Sequence, residues 1–324
     1  MNKSVSRRQS ASWYIEGLQK GDITVLSKAI TLVESTRDED QQLAAEILEA
    51  VLPGTGKSFR LGVTGVPGVG KSSFIESIGQ RIAERGKKLA VLAVDPSSVK
   101  SGGSILGDKT RMENLSVRPG VFIRPSPSGS KLGGVTRASF ETILLCEAAG
   151  FDFIIVETVG VGQSEVAVSR ICDFFLLLML AGAGDQLQGI KRGIMEMADA
   201  LVITKADGDN ALKAKAARAD YAQAMHFLQE HEAGWIPPTL TCSALTGEGL
   251  NELLDVLENY QHTMVNSGYF IEKRQQQMFE ILKENLDEKL LRKIYHEKDL
   301  HEQLKALSQK GLSNPFREAD RLSS

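Results

Sequence analysis

The stretch Gly65-Val66-Pro67-Gly68-Val69-Gly70-Lys71-Ser72 constrains this chain more than any other. It follows Leu61-Gly62-Val63-Thr64, the end of an apolar strand pattern, and precedes Ser73-Phe74-Ile75-Glu76-Ser77-Ile78, the opening of an amphipathic helix. Glycines at this spacing let backbone N–H groups wrap a polyphosphate, while the lysine reaches the terminal phosphates and the serine hydroxyl meets magnesium. The following helix presents its positive end to the same anion. A glycine-rich turn without a ligand is the plain alternative, but the strand before and the helix after favour a nucleotide.

The rest of the chain extends that strand–loop–helix unit. Strand patterns recur at 59–64, 89–94, 120–124, 152–157, 174–180, 200–204 and 239–242, with helical patterns near 71–85, 136–149, 187–198, 209–231 and 248–262. Alternation of this kind predicts an α/β fold: a mostly parallel sheet with helices on both faces and ligands at the carboxyl ends of its strands. Ahead of it, Trp13, Ile15 and Leu18, then Ile23, Leu26, Ile30 and Val33, then Leu43, Ile47, Leu48 and Val51 fall at helical spacing. Gly21-Asp22 and Arg37-Asp38-Glu39-Asp40 punctuate them into two or three helices. Behind it, Ile271, Met278, Ile281, Leu282, Leu286, Leu290 and Ile294 stripe a long amphipathic helix that must bury its apolar face on its own domain or on another subunit. The expected organisation is a helical N-terminal extension over 1–56, a nucleotide-binding domain over 57–264 and a C-terminal helical arm over 265–324.

The 324 residues carry 42% hydrophobic and 24% charged side chains, the composition of an ordinary water-soluble protein. A formal net charge of −3 offers no general attraction to nucleic acid or to an anionic membrane. The densest apolar run, Phe174 to Leu180, has seven residues where a bilayer-spanning helix needs about 20. Cys146, Cys172 and Cys242 lie far apart in apolar stretches and read as core residues of a reducing, cytoplasmic compartment.

Chemistry gathers at the strand ends. Lys71 is the expected charge neutraliser at the β- and γ-phosphates, Ser72 a magnesium ligand and Ser73 an α-phosphate contact. Asp152-Phe153-Ile154-Ile155-Val156-Glu157-Thr158-Val159-Gly160 is an apolar strand closing in a carboxylate. Glu157 there is placed to hold magnesium through water, and the Gly160 N–H to approach the γ-phosphate. Between these motifs, the polar, glycine-rich segment from Asp95-Pro96-Ser97-Ser98 to Met112 has the makings of a switch loop, with Asp95 and then Asp108 as metal candidates. An ordinary long surface loop is the alternative. Base choice falls to Thr204-Lys205-Ala206-Asp207 and Ser243-Ala244-Leu245. The Asp207 carboxylate can accept from guanine N1–H and its 2-amino group together, the Lys205 stem can cover the base plane and the Ala244 N–H can meet O6. Adenine lacks that amino group, so GTP and GDP are expected over adenine nucleotides. Guanine-binding proteins usually have Asn where Thr204 stands.

Taken together, the 65–73 loop, the 95–112 segment, Glu157-Thr158-Val159-Gly160-Val161-Gly162-Gln163-Ser164-Glu165 and Thr204–Asp207 resemble the MeaB/ArgK group of P-loop GTPases, chaperones of adenosylcobalamin-dependent methylmalonyl-CoA mutase. The resemblance runs through the whole chain. It implies a homodimer joined through the C-terminal arm and a GTPase that protects or reloads the mutase. It also implies that the loop Ala181 to Lys191 relays the nucleotide state, with Gln188 and Lys191 matching nucleotide-responsive positions. Read without the family, that loop is equally a strand-to-helix connection with an exposed lysine.

No residue marks itself as a catalytic base. Hydrolysis is therefore expected as in-line attack by a positioned water, with Lys71, magnesium and backbone donors stabilising the transferring charge. Lys191 or Arg111 are cations that a partner could bring closer. Three rivals stand beside this reading: a nucleotide-dependent kinase of an amino-acid transport component, a metallochaperone GTPase for another enzyme, and a binding module without turnover. The kinase needs an acceptor pocket and a base, for which no motif is present. His226, His231, His262, His296 and His301 are too scattered for a metal-transfer cluster, and Ser72 with Glu157 speaks for turnover.

Overall fold

The computed structural model describes residues 8–94, 112–125, 132–158, 164–182, 192–228, 234–297 and 302. Three helices come first: α1 (Ala11–Gln19), α2 (Ile23–Val33) and α3 (Asp38–Val51). Then β1 (Phe59–Gly65), α4 (Lys71–Glu84), β2 (Leu89–Val94), α5 (Glu113–Ser116), β3 (Val121–Arg124), α6 (Leu132–Ala148) and β4 (Phe153–Thr158) make the first half of an α/β unit. The second half is α7 (Ser164–Ser169), β5 (Phe174–Leu180), α8 (Arg192–Glu196), β6 (Ala200–Thr204), α9 (Ala211–Leu228), β7 (Thr239–Thr241) and α10 (Leu250–Asn266), and α11 (Tyr269–Glu297) follows.

The punctuation of the helical N-terminus is chemical. Gly21 takes φ +71°, closing α1, and Asp22 caps α2 by accepting the N–H groups of Thr24 at 2.8 Å and Val25 at 3.1 Å. Asp38, Glu39 and Asp40 fill the first turn of α3, where the helix dipole favours acids. The three helices pack on one another and, through α2 and α3, on α6.

All seven strands run parallel in the order β3-β2-β4-β1-β5-β6-β7, with helices on both faces. Every residue of β1 and β6 is buried, as a strand covered on both faces requires. An aspartate immediately before β4, β5 and β6 pins the register. Asp152 Oδ2 accepts the Lys88 N–H at 2.9 Å, Asp173 Oδ2 that of Arg60 at 2.8 Å, and Asp199 Oδ2 that of Phe175 at 2.8 Å. The Arg60 and Phe175 donors are buried and would otherwise be stranded in a dry interior, while the Asp152–Lys88 bond lies at the exposed rim of the sheet.

Around these aspartates lies a buried charged network. Arg60 donates to Glu147 at 2.9 and 3.1 Å, and Glu147 also accepts from Ser58 Oγ at 2.6 Å and the Gly56 N–H at 2.8 Å. Arg274 pairs with Asp173 at 2.7 Å and Lys273 with Asp199 at 3.5 Å. Burial pushes the Glu147 carboxyl up, but the Arg60 guanidinium and the donated hydrogen bonds outweigh it and hold the group below the usual range. Burial lowers Lys273 too, and Asp199 and Tyr260 overcome it to raise the ammonium above its ordinary value.

The seven strand patterns match the observed strands to within a residue at each end. The helix patterns at 71–85, 136–149, 209–231 and 248–262 correspond to α4, α6, α9 and α10. The pattern at 187–198 is helical over Arg192–Glu196, and 187–191 lie outside the described residues. Helices α5 and α7 were not anticipated, because four and six residues are too few to show a period. All three cysteines are buried and free.

The chain divides into two compact units, Met1–Arg274 and Gln275–Ser324. In the second, α11 continues to Glu297 and exposes Met278, Phe279, Leu282, Leu286, Leu290 and Leu291. No helix among the described residues is long and apolar enough to cross a membrane.

Candidate functional site

Strand β1 lies at the centre of the sheet, where the chain's first four strands meet its last three. Loops leaving neighbouring strands part at such a place and open a crevice at the carboxyl ends. The 65–72 loop occupies that position. Gly65 passes so close to β5 that a Cβ on it would sit 2.5 Å from the Leu178 carbonyl oxygen. Gly68 (φ +76°) and Gly70 (φ +89°) take left-handed conformations that only glycine adopts without strain. Gly70 then caps α4, its carbonyl accepting the Phe74 N–H at 2.9 Å. Val66 and Val69 are buried beneath the loop, and the Val69 N–H donates to the Val66 carbonyl at 3.2 Å, closing the turn between them.

Lys71 Nζ donates to the Gly65 carbonyl at 2.9 Å, which folds the ammonium back across the mouth of the loop. Burial lowers its pKa below the usual lysine range, against the opposing pull of Glu157 and then Glu165. Both carboxylates are buried, Glu157 near the end of β4 and Glu165 in the first turn of α7. Beside them Thr158 Oγ1 donates to Thr64 Oγ1 at 2.9 Å, locking the ends of β4 and β1 together. Ser72 is half-buried in the first turn of α4, and Ser73 is exposed. The Ser72 hydroxyl and the Glu157 carboxylate are hard oxygen donors, too few to enclose an ion alone. That donor set suits magnesium, which keeps waters and takes phosphate oxygens as its remaining ligands.

The base-side motifs converge on the same loop. Thr204, at the end of β6, is buried and turns its hydroxyl inward, donating to the Val69 carbonyl at 2.8 Å and reaching the Met179 carbonyl at 3.3 Å. Lys205 has φ +56°, the one positive value for a non-glycine among the described residues, and its Nζ donates to the Gly68 carbonyl at 2.8 Å. Asn210 Nδ2 donates to the Lys205 carbonyl at 2.7 Å, supporting that conformation. Asp207 Oδ2 accepts from Ser243 Oγ at 2.5 Å, and Ser243 Oγ accepts the N–H groups of Leu245 at 3.2 Å and Thr246 at 3.1 Å. The Ala206 N–H donates to the Cys242 carbonyl at 3.0 Å, so the two loops travel as a pair. Leu245 is 87% exposed at their tip.

Structure thus brings together Gly65 to Ser73, Glu157, Lys205, Asp207, Ser243, Ala244 and Leu245. Asp95, Asp108, Gly160, Gln188 and Lys191 lie outside the described residues. Sequence reasoning passed over the tie from Thr204 to the phosphate loop. It also gave no role to Glu165, although that residue stands in the Glu157–Glu165 motif, nor to Ser77 and Arg81, which reach the 243–249 loop from α4. Nothing in a helical period distinguishes those two from ordinary surface positions.

Comparison with known proteins agrees with this geometry. The sequence model described as "Methylmalonyl Co-A mutase-associated GTPase MeaB" matches residues 26–299. A Mycobacterium tuberculosis protein named as a probable GTPase is 53% identical over 257 residues, covering 79% of this chain and 76% of its own. The GTPase ArgK of Escherichia coli is 47% identical over 285 residues, covering 88% of this chain and 86% of its own. The mitochondrial methylmalonic aciduria type A homolog of Mus musculus is 46% identical over 323 residues, covering 94% and 77%. A crystal structure titled as a LAO/AO transport system kinase superposes with a TM-score of 0.77 at 38% identity, covering 99% of this chain and 98% of its own. Matched by this family's sequence model over residues 26–299 and by these relatives, the chain belongs to the MeaB family of methylmalonyl-CoA mutase-associated GTPases.

Proposed function

We propose that this chain binds GTP with magnesium, hydrolyses it, and uses the cycle to protect an adenosylcobalamin-dependent methylmalonyl-CoA mutase or assist its cofactor loading. One observation carries the reading. The glycine loop that carries Lys71 accepts Thr204 and Lys205 at its Val69 and Gly68 carbonyls, and Asp207, paired with Ser243, follows two residues on, in a family whose description names that mutase. Ser72 and Glu157 would hold magnesium, whose charge would offset that of the β- and γ-phosphates. Lys71, released from Gly65, would swing its ammonium to the same oxygens, and the loop's N–H groups would receive charge as the γ-phosphoryl departs. Burial lowers the Lys71 pKa, and the Glu157 and Glu165 carboxylates oppose that shift. Asp95, Asp108, Gly160, Gln188 and Lys191 complete the proposed machinery, the last two as the relay to the mutase.

The proposed organisation keeps 1–56 as an extension, 57–264 as the GTPase domain and 265–324 as an arm that joins two copies in the cytoplasm. Exposed Leu282, Leu286 and Leu290 support the dimer, since a second copy would cover them. Replacing Leu286 and Leu290 by Asp is expected to give a monomer in sedimentation; an unchanged dimer would remove the arm from that role.

The decisive test is GTP turnover with and without saturating mutase, alongside co-purification scored with a GTP analogue, GDP and no nucleotide. Nucleotide-dependent association with altered turnover is expected. No association in any state, with turnover unmoved, would reject the chaperone reading. The solved relative's title favours one second reading, transfer of the γ-phosphate to a transport component. Free phosphate as the sole labelled product from γ-labelled GTP separates hydrolysis from that transfer.

A further inference from the structure

Helix α4 begins at the phosphate loop, yet its far turns hold the base loop. Ser77 Oγ donates to the Ala244 carbonyl at 2.8 Å, across 167 residues of sequence. One turn on, Arg81 Nη1 donates to the Ser77 carbonyl at 3.0 Å and Nη2 reaches the Gly247 carbonyl at 3.4 Å. The guanidinium fills the space a side chain at 247 would need: a Cβ there would lie 2.1 Å from Arg81 Nη2. Gly247 itself has φ +81°, a conformation that favours glycine.

The held loop is closed upon itself. The Ser243 N–H donates to the Glu248 carbonyl at 3.0 Å and the Gly247 N–H to the Ser243 carbonyl at 2.9 Å. Through Ser243 Oγ the loop grips Asp207. Because C=O and N–H of a trans peptide point in opposite directions, drawing the Ala244 carbonyl to Ser77 turns the Leu245 N–H away from α4, where Ser243 Oγ receives it. A shift of α4 is therefore a shift of Ala244, Ser243 and Asp207 together. Ser77 and Arg81, four apart, share one face of the helix, about 9 and 15 Å along its axis from Lys71.

We propose that Ser77 and Arg81 are positioning residues for base recognition, fixing the 243–249 loop at a set height above the phosphate loop so that Asp207 and Ala244 meet the guanine edge. This rests on the guanine-nucleotide reading above. A purine held by its phosphates at one end of α4 would then be read at a distance set by that helix, and other bases would be refused by the fixed loop.

The test uses the full chain with Ser77→Ala and Arg81→Ala, singly and together, and Ser77→Thr as the conservative variant. Dissociation constants are measured with magnesium for GTP, ATP and inorganic tripolyphosphate. The double variant is expected to bind GTP roughly 10-fold more weakly, from two hydrogen bonds of ordinary net strength. Tripolyphosphate and ATP should hold within about twofold, so the GTP-to-ATP ratio narrows, whereas Ser77→Thr, which keeps the hydroxyl, should retain the wild-type ratio. Equal weakening of all three ligands, or an unchanged ratio, would overturn the proposal by reducing the contacts to scaffolding. Should the double variant fail to fold in a thermal scan, Ser77→Ala, which loses a single hydroxyl, carries the same ratio test. Wild-type protein that binds GTP and ATP alike would instead defeat the guanine reading, and this inference with it.

Discussion

Replacing Thr204 by Val isolates one hydrogen bond between the end of β6 and the 65–72 glycine loop. The two side chains are nearly equal in volume, so no cavity opens in the buried position. What disappears is the donor to the Val69 carbonyl at 2.8 Å, with its longer approach to the Met179 carbonyl at 3.3 Å. Val69 is 1% exposed, and water has little access to the carbonyl left behind. An acceptor stranded in this way costs about 1–3 kcal/mol. That cost must surface in one of two places. If the loop keeps its shape, the folded state bears it, and Tm falls by about 2–4 °C for each kcal/mol in a domain of this size. If the peptide between Gly68 and Gly70 turns to find water, stability recovers, but nucleotide must restore the loop, and Kd rises up to 10-fold for each ~1.4 kcal/mol. Thermal unfolding without nucleotide and calorimetric titration with GTP measure the two parts, whose sum should lie within about 1–3 kcal/mol. The preference for GTP over ATP should stay, since the Asp207–Ser243 pair is untouched. A sum near zero would refute the tether. Lost base preference at unchanged stability would show that Thr204 serves the base after all.

Three further outcomes test separate parts of the account. Lys71→Ala should abolish tight GTP binding in a titration; near-normal affinity would remove the lysine from the phosphates. Because burial lowers the Lys71 pKa, its charge is lost as pH rises through a value below the ordinary ~10.4, so GTP affinity should decline on the alkaline side sooner than an unperturbed lysine allows. Glu147→Gln strands the buried Arg60 guanidinium and should cost about 3–5 kcal/mol, on the order of 10 °C in Tm, with GTP affinity retained. The native carboxyl is held below its unfolded value of ~4.3, so its contribution is full above that pH and is lost as pH falls through the lower folded value. In the variant that acid-side slope should flatten, and an unchanged slope would assign it to other carboxylates. Asp207→Asn replaces an acceptor by a donor opposite the 2-amino group of guanine; GTP should weaken by about 10²-fold or more while XTP, with a carbonyl there, gains. Equal loss for both nucleotides would mean that Asp207 does not read the base.

What the sequence made legible follows from the range of the forces involved. The glycines at 65, 68 and 70, the lysine and the serine encode a local conformation, and the structure places them as one loop. Strands buried on both faces write themselves as unbroken apolar runs, which is why all seven could be read. Ties between distant segments leave no such trace. Ser77 meets Ala244 across 167 residues, and Thr204 meets Val69 across 135. A serine on a helix and a threonine after a strand are ordinary residues until the fold brings their partners to them. The departure of Thr204 from the usual Asn is visible in the sequence, but the tie of its hydroxyl to the Val69 carbonyl is not. The short helices α5 and α7 were hidden for a simpler reason, since one turn or a turn and a half cannot declare a period.

The aspartates before β4, β5 and β6 were visible as letters and silent as structure. Each repeats one pattern, an acid followed by an apolar run, and each accepts the N–H that opens or precedes a neighbouring strand. Asp173 and Asp199 also take the charges of Arg274 and Lys273, and Arg60, paired with Glu147, stands beside them. The chain thereby divides its polar groups by the direction of the sheet. At the amino ends of the strands, Arg60 with Glu147, Arg274 with Asp173 and Lys273 with Asp199 are matched to each other in largely buried pairs. At the carboxyl ends, about 16 Å along β1 from Arg60, glycines replace side chains and Lys71 donates to the Gly65 carbonyl, a partner it would exchange for phosphate in the proposed site. The Glu147→Gln variant probes that division directly: stability should fall while nucleotide affinity holds, and a variant that lost both in proportion would show the two ends to be one cooperative structure.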